Sequence, residues 1–334
     1  MVWFKFLVCL AVILFAGTKL ARYGDAIAEK TGLGRIWIGL VLLAAITAMP
    51  ELVTGVSSAA WVGSPNLALG TLLGSCSFNL FILAVLDVLH THAPVLTGAS
   101  PRHIVPAVWG ILLIAIAAGG IIAGGKLSSL TLGWVGIPSI IILILYLVGV
   151  RQIFHLESSH QFSLGKATSL RYKEIPARTV YFRFALAAIA IVAAGIWLSF
   201  VGDEIAATTG WGATFVGSLF LAITTSMPEL VVAITALRLG ATDMAVANIL
   251  GANMLDIAGI APVDLFYTEG SILCSVSNSH LITAAVVTVM SILVIVGLRF
   301  RPRRKTFVVV SWYALALIAL YVFGAYALFS ASMM

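Results

Sequence analysis

Three acids lie inside stretches of the chain that are otherwise apolar: Glu51, Glu229 and Asp256. The first belongs to LAAITAMPELVTG, residues 43–55, and the second to LAITTSMPELVVA, residues 221–233. Each glutamate directly follows a proline, Pro50 or Pro228, and comes four residues after a threonine, Thr47 or Thr225. On a continuous helix that spacing sets hydroxyl and carboxylate on one face. Proline has no N–H and clashes with the carbonyl four residues back, so the carbonyls of Ile46 and Thr224 are expected to be released. In LGSCSFNLF, Ser75 and Asn79 are i,i+4 partners, and in LGANMLDIAG the corresponding pair is Ala252 and Asp256. Gly74 and Gly251 allow the helices that carry them to approach closely. These groups offer oxygen and neither imidazole nor thiolate. Hard cations such as Ca²⁺ take about six to eight oxygens, whereas zinc and copper sites use nitrogen and sulfur. The chemistry expected is reversible binding of a divalent cation.

The surrounding elements explain why such groups are informative. The 334 residues are 61% hydrophobic and 10% charged, with a mean hydropathy of +1.11. A soluble domain is excluded by that balance. A bilayer core needs about 20 apolar residues per helical crossing. Ten segments qualify: 3–21, 36–60, 67–89, 104–123, 130–150, 180–201, 212–237, 244–266, 280–298 and 307–329. The expected fold is an all-α integral membrane protein with ten transmembrane helices. A charge at bilayer depth costs about 2.5–3.5 kcal/mol on insertion scales. No Lys or Arg lies at the depth of Glu51, Glu229 and Asp256, so ligand duty is the better account of them than packing. Most of the other acids, Asp25, Asp87, Asp203 and Asp264 among them, fall in loops or at helix ends.

The halves of the chain repeat one another. A shift of 178 takes Gly24-Asp25 to Gly202-Asp203, Thr31-Gly32 to Thr209-Gly210, and Met49-Pro50-Glu51-Leu52-Val53 to Met227-Pro228-Glu229-Leu230-Val231. A shift of 177 then takes Gly74 to Gly251, Asn79 to Asp256 and Asp87 to Asp264. Five spans per half, an odd number, make this an inverted repeat of the kind found in secondary transporters. The expected organisation is a first five-helix repeat at 1–150, a cytoplasmic linker at 151–179 and a second, inverted repeat at 180–334. The linker, with His155 and His160, reads as a solvated connector. Its shortness leaves no room for a large regulatory domain and points to a prokaryotic plasma membrane.

Of the 19 Lys and Arg, all but Lys5 and Lys126 fall on one side of this topology. The positive-inside rule then sets both termini outside the cytoplasm. The basic run RFRPRRK at 299–305 needs no nucleic acid to explain it, because it is a short cytoplasmic turn. Lipid is the expected surrounding partner. The first segment lacks a small-residue cleavage site and has a counterpart in the second half, so it is read as a span. Cys9, Cys76 and Cys274 are too scattered for a disulfide or metal framework.

TAMPEL with GSCSFN, and TTSMPEL with GANMLD, resemble the paired α-repeats of the cation/calcium exchanger superfamily, in particular its sodium/calcium exchanger branch. The resemblance implies a central Ca²⁺ site and alternating access by sliding of the first and sixth spans. It implies that Glu51 and Glu229 are the principal ligands, and that Thr47 and Thr225, with the carbonyls of Ala44 and Ala222, bind central or flanking cations. Asn79 and Asp256 take the central polar positions of the third and eighth spans, and Ser75 and Ser226 match hydroxyl positions tied to the ion sites. Two departures stand out: Ala48 and Ala252 occupy positions where serine is common in the family. Cys76 also replaces a frequent asparagine that Asn253 keeps. The expected function is Ca²⁺ antiport against Na⁺, with no enzymatic activity and no cofactor. Coupling to H⁺, exchange of another cation and a cation channel are the rival readings.

Overall fold

The structure is a computed structural model and describes residues 1–31, 43–90, 93–127, 130–161, 176–301, 304–307 and 310–332. Apart from a two-residue β-hairpin, in which β1 (Thr131–Leu132) pairs with β2 (Val135–Gly136), its regular elements are helical. The first half comprises α1 (Val2–Thr31), α2 (Leu43–Thr47), α3 (Met49–Ala60), α4 (Pro65–Leu89), the short α5 (Val95–Gly98), α6 (Ile104–Leu127) and α7 (Ile137–Gln161). The second comprises α8 (Ala177–Thr209), α9 (Ala213–Val216), a π-helical turn (Gly217–Leu221), α10 (Ala222–Thr225), α11 (Met227–Arg238) and α12 (Thr242–Ala258). It closes with α13 (Ile260–Phe266), α14 (Ile272–Ser275), α15 (His280–Phe300) and α16 (Trp312–Ser332).

Eight of the described helices, α12 and α13 counted together, are long and apolar enough to cross a membrane. A ninth crossing is made if Ala213–Thr225 and Met227–Arg238, bent by 44° at their junction, count as one broken span. The expected second span, 36–60, falls partly on residues 32–42, outside the described residues; α2 and α3 are its described part. Several boundaries differ from expectation: α1 runs past residue 21 to Thr31, the hairpin takes the start of the expected span 130–150, and α8 runs past 201 to Thr209. Helix α7 continues past residue 150 to Gln161, taking in His155 and His160, and α8 starts at Ala177. Helices persist into polar sequence because nothing at 151–161 breaks them: the stretch has neither Gly nor Pro.

Burial ranks the helices. The most apolar windows of α4 and of Thr242–Phe266 are 78% buried, against 22% for α16 and 28% for α7. The two motif-bearing helices are therefore the centre of the bundle, and the others separate them from lipid. Helices α1 and α8 pair along their length at one side, each also touching the broken spans. Helix α4 meets the second half through its glycines. A Cβ on Gly74 would collide with the backbone of Ser218, and one on Gly217 would lie 2.6 Å from the Leu67 carbonyl. Small residues thus let backbones touch without side chains between them.

Candidate functional site

Each glutamate sits where its span breaks. Ala48 (φ −80°, ψ 5°) and Ser226 (φ −86°, ψ 10°) have nearly the same non-helical backbone conformation, in the sparsely populated bridge region. The new helices α3 and α11 begin one residue later, so Pro50 and Pro228 occupy the first turn rather than a helix interior. There the missing N–H costs nothing, because first-turn N–H groups have no helical partner. Glu51 and Glu229 also fall in those first turns, where the positive end of the helix dipole favours a carboxylate. The preceding half-helices end facing the same region, with carbonyls suited to cations.

The break changes the partnership that the sequence suggested. Thr47 and Glu51 were expected on one helical face, but the non-helical residue lies between them. Glu51 meets a hydroxyl of the opposite half instead. Ser226 donates to Glu51 Oε1 at 2.8 Å; Thr225, close to Glu51, donates its hydroxyl proton to the Leu221 carbonyl of its own helix at 3.0 Å. Thr47 acts on Glu229. Ser75 Oγ reaches Thr225 Oγ1 at 3.5 Å, joining α4 to this group. The Ala222 carbonyl accepts from Ser226 N at 3.0 Å and from Thr225 Oγ1 at 3.3 Å. Ala44 lies in the first turn of α2; its side chain is outside the described residues.

The central helices add a second layer. Asn79 Nδ2 donates to Asp256 Oδ2 at 3.2 Å. One turn away Asn253 Nδ2 donates to the Cys76 carbonyl at 3.3 Å, while Cys76 Sγ points to the Asn253 carbonyl at 3.6 Å. Both pairs join positions related by the shift of 177, so α4 and α12 meet along the axis of the repeat. Gly251 is half-buried on the same helix. Glu229 is within electrostatic reach of Glu51 and Asp256, and Asp256 of Glu51.

Every described donor side chain of this group is buried: Thr47, Ser75, Asn79, Thr225, Ser226, Glu51, Glu229 and Asp256 are each at most 2% exposed. Yet Glu51 Oε2, both Glu229 carboxylate oxygens, Asn79 Oδ1 and Asp256 Oδ1 have no hydrogen-bond partner of good geometry. Leaving carboxylate oxygens unmatched costs several kcal/mol. Among the described residues no three His, Cys, Asp or Glu side chains come together at the spacing of a metal shell. The oxygens available are mixed: two or three carboxylates with hydroxyl, amide and carbonyl groups.

The two halves of the site are unequal. Under the repeat, Ser226 corresponds to Ala48 and Ser75 to Ala252. Both losses fall on one side. Glu51 has Ser226 and the Thr225–Ser75 pair around it, whereas Glu229 has Thr47 and two buried methyl groups in the corresponding places. That asymmetry explains why Glu229 has both oxygens unmatched and Glu51 only one.

Three features escaped sequence reasoning. Asp87 and Asp264, expected in loops or at helix ends, do lie at helix ends, but there they are fully buried anchors. Asp87 accepts from Val95 N, Ser311 N, Ser311 Oγ and Tyr313 Oη. Asp264 accepts from Ile272 N at 2.6 Å and Gly136 N at 2.8 Å. Each binds an N–H eight residues downstream and the start of a helix from the other half. The repeat aligned them, but the burial of their helix ends was not visible. Asn248, four residues before Ala252 on α12, is 1% exposed with neither amide atom partnered. Its place one and two turns before Ala252 and Asp256, at i+4 and i+8, was the available signal.

An all-α membrane bundle that sinks paired carboxylates at broken spans defines an ion-handling membrane protein rather than a soluble catalyst. The chain belongs to the sodium/calcium exchanger protein family, whose model matches residues 1–152 and 179–330. It is 25% identical over 274 residues to the inner membrane protein YrbG of Escherichia coli, covering 80% of each chain. It is 24% identical over 275 residues to CaxA of Alkalimonas amylolytica, covering 80% of this chain and 81% of that one. In fold it is similar to the sodium/calcium exchanger of Methanococcus jannaschii, with a TM-score of 0.62 at 20% identity over 98% of this chain and 99% of that one.

Proposed function

We propose that this chain exchanges Ca²⁺ for Na⁺ across a prokaryotic plasma membrane by alternating access, with Glu51 and Glu229 as the shared ligands. Membership of the exchanger family sets the class, cation antiport. The observation that carries the assignment to these residues is the pair of buried half-helix carboxylates, three of whose four oxygens lack a hydrogen bond of good geometry among the described residues. An empty site of that charge is costly at membrane depth, so the site favours being occupied when it changes sides. Either one divalent ion or monovalent ions can supply the compensation, and that alternation is exchange. Thr47, Thr225, Ser226, Ser75, Asn79 and the carbonyls of Ala44 and Ala222 complete the shell in this reading, with Asp256 as a third carboxylate. Ten spans in two inverted repeats, 1–150 and 180–334, give the site access from each side in turn.

The test is Ca²⁺ uptake into Na⁺-loaded proteoliposomes at clamped pH, beside uptake driven by a pH gradient without Na⁺. Saturable, Na⁺-dependent counter-transport is the expected result. One observation favours a second reading, Ca²⁺/H⁺ exchange: the Glu229 side has lost two hydroxyls that could hold a monovalent cation. Uptake that follows the proton gradient and ignores Na⁺ selects that reading, and conductance without counter-transport selects a channel.

A further inference from the structure

A second polar pocket lies away from the carboxylates. Ser77 on α4, Ser218 in the π-helical turn, Thr283 and Val286 on α15, and Tyr321 and Gly324 on α16 surround a cavity of about 20 Å³. Three of these residues aim buried hydroxyls that have no hydrogen-bond partner: Ser218 Oγ, Thr283 Oγ1 and Tyr321 Oη. Ser77 adds a fourth hydroxyl-bearing residue, and the remaining wall is apolar, from Phe215, Leu219 and Leu328 among others. Three unsatisfied hydroxyls on three different elements, around one hole, are unfavourable if the hole is dry. Each unmatched buried group costs about 1–3 kcal/mol. A cavity needs about 10–15 Å³ and two to four polar partners to hold one water. This one has both.

We propose that the cavity is a hydration site for a single ordered water, bridging the hydroxyls of Ser218, Thr283 and Tyr321. A cation is the poorer occupant, because no carboxylate lines the cavity. The location gives the water a task. Ser218 lies in the π turn directly before Ala222–Thr225, and its backbone presses on Gly74 from the other side. A π turn is an irregularity that needs outside support. Gly74 supports it on the α4 face, and the water ties its free side to α15 and α16. The segment that carries Ala222, Thr225 and Ser226 is thereby fixed from behind.

The proposal is tested by substitutions whose effects have opposite signs in the wet and dry cases. Thr283→Val keeps the shape of the side chain and removes its hydroxyl, and Tyr321→Phe does the same. If a water joins the three groups, each substitution leaves it short of a partner, and Tm of the purified full-length protein falls by about 2 °C or more. If the cavity is dry, each substitution removes an unmatched polar group, and Tm is unchanged or rises. A density map that resolves other buried waters gives the independent reading. A water peak within hydrogen-bonding distance of all three hydroxyls is expected. An empty cavity in such a map, or unchanged or raised Tm in both variants, overturns the proposal. The measurement is independent of which ions are exchanged, so its failure leaves the transport reading untouched.

Discussion

Glu51 and Glu229 share a sequence context but not an environment, and the difference is chemical. Ser226 gives Glu51 one neutral hydrogen bond, while the repeat-related Ala48 gives Glu229 none. Replacing either glutamate by glutamine removes one unit of charge from the shell, so Glu51→Gln and Glu229→Gln should each lower Ca²⁺ exchange by more than about tenfold, the equivalent of about 1.4 kcal/mol. Retention of normal exchange by either variant, with a folded protein by size-exclusion profile, would remove that residue from the site. Ala48→Ser tests the asymmetry itself. The added hydroxyl should donate to Glu229 as Ser226 does to Glu51, and it provides one more oxygen on the depleted side. The half-saturating Na⁺ concentration for Ca²⁺ release should fall severalfold. If it does not move, the missing hydroxyl is already replaced by a backbone carbonyl or water.

The elements decide which oxygens can meet. Two near-identical breaks, at Ala48 and Ser226, interrupt the helical face that each threonine would have shared with the glutamate after it, and Ser226 of the second half reaches Glu51 of the first. That contact between the halves was not legible in the sequence, although both participating residues were. Spacing along a helix fixes a face only while the helix continues, and the sequence marks the proline rather than the non-helical residue two positions before it. The anchors Asp87 and Asp264 were equally hidden, since their partners lie on other helices. The all-α membrane class, eight of the ten expected spans and the buried acids were legible, because each follows from local hydropathy or from polar residues set within it. Close backbone packing was legible at Gly74. Gly74→Ala would press a methyl group into the Ser218 backbone, which cannot swing aside as a side chain can. Overpacking of this kind costs about 1–3 kcal/mol. Gly119→Ala on α6, with nothing within 4 Å of the added carbon, is the control and should be neutral or slightly stabilising in a thermal melt.

At the scale of the whole molecule the two buried aspartates do the same job at two different places. The Asp87 cluster holds Val95 with Ser311 and Tyr313, joining the first half to the start of α16. The Asp264 cluster holds Ile272 with Gly136, joining the second half to the start of α7. Their surroundings differ in charge. Around Asp87, Lys305 donates to the Asp87 carbonyl, and Arg301 Nη2 donates to the carbonyls of Thr97 at 2.9 Å and Ala99 at 3.1 Å. Around Asp264 the donors are neutral: the backbone N–H groups of Gly136 and Ile272, with Ser139 beside them. The inverted repeat proposed above would set these equivalent clusters at opposite membrane faces, with the basic one in the cytoplasm. Exposed residues beside each cluster allow a direct test. With Cys9, Cys76 and Cys274 replaced, Thr268→Cys should react with a membrane-impermeant maleimide added outside intact cells. Arg304→Cys should react only after permeabilisation. Labelling of both from the same side would contradict the inverted arrangement. Labelling of the two in the reverse order would keep the repeat but reverse its orientation, placing both termini in the cytoplasm.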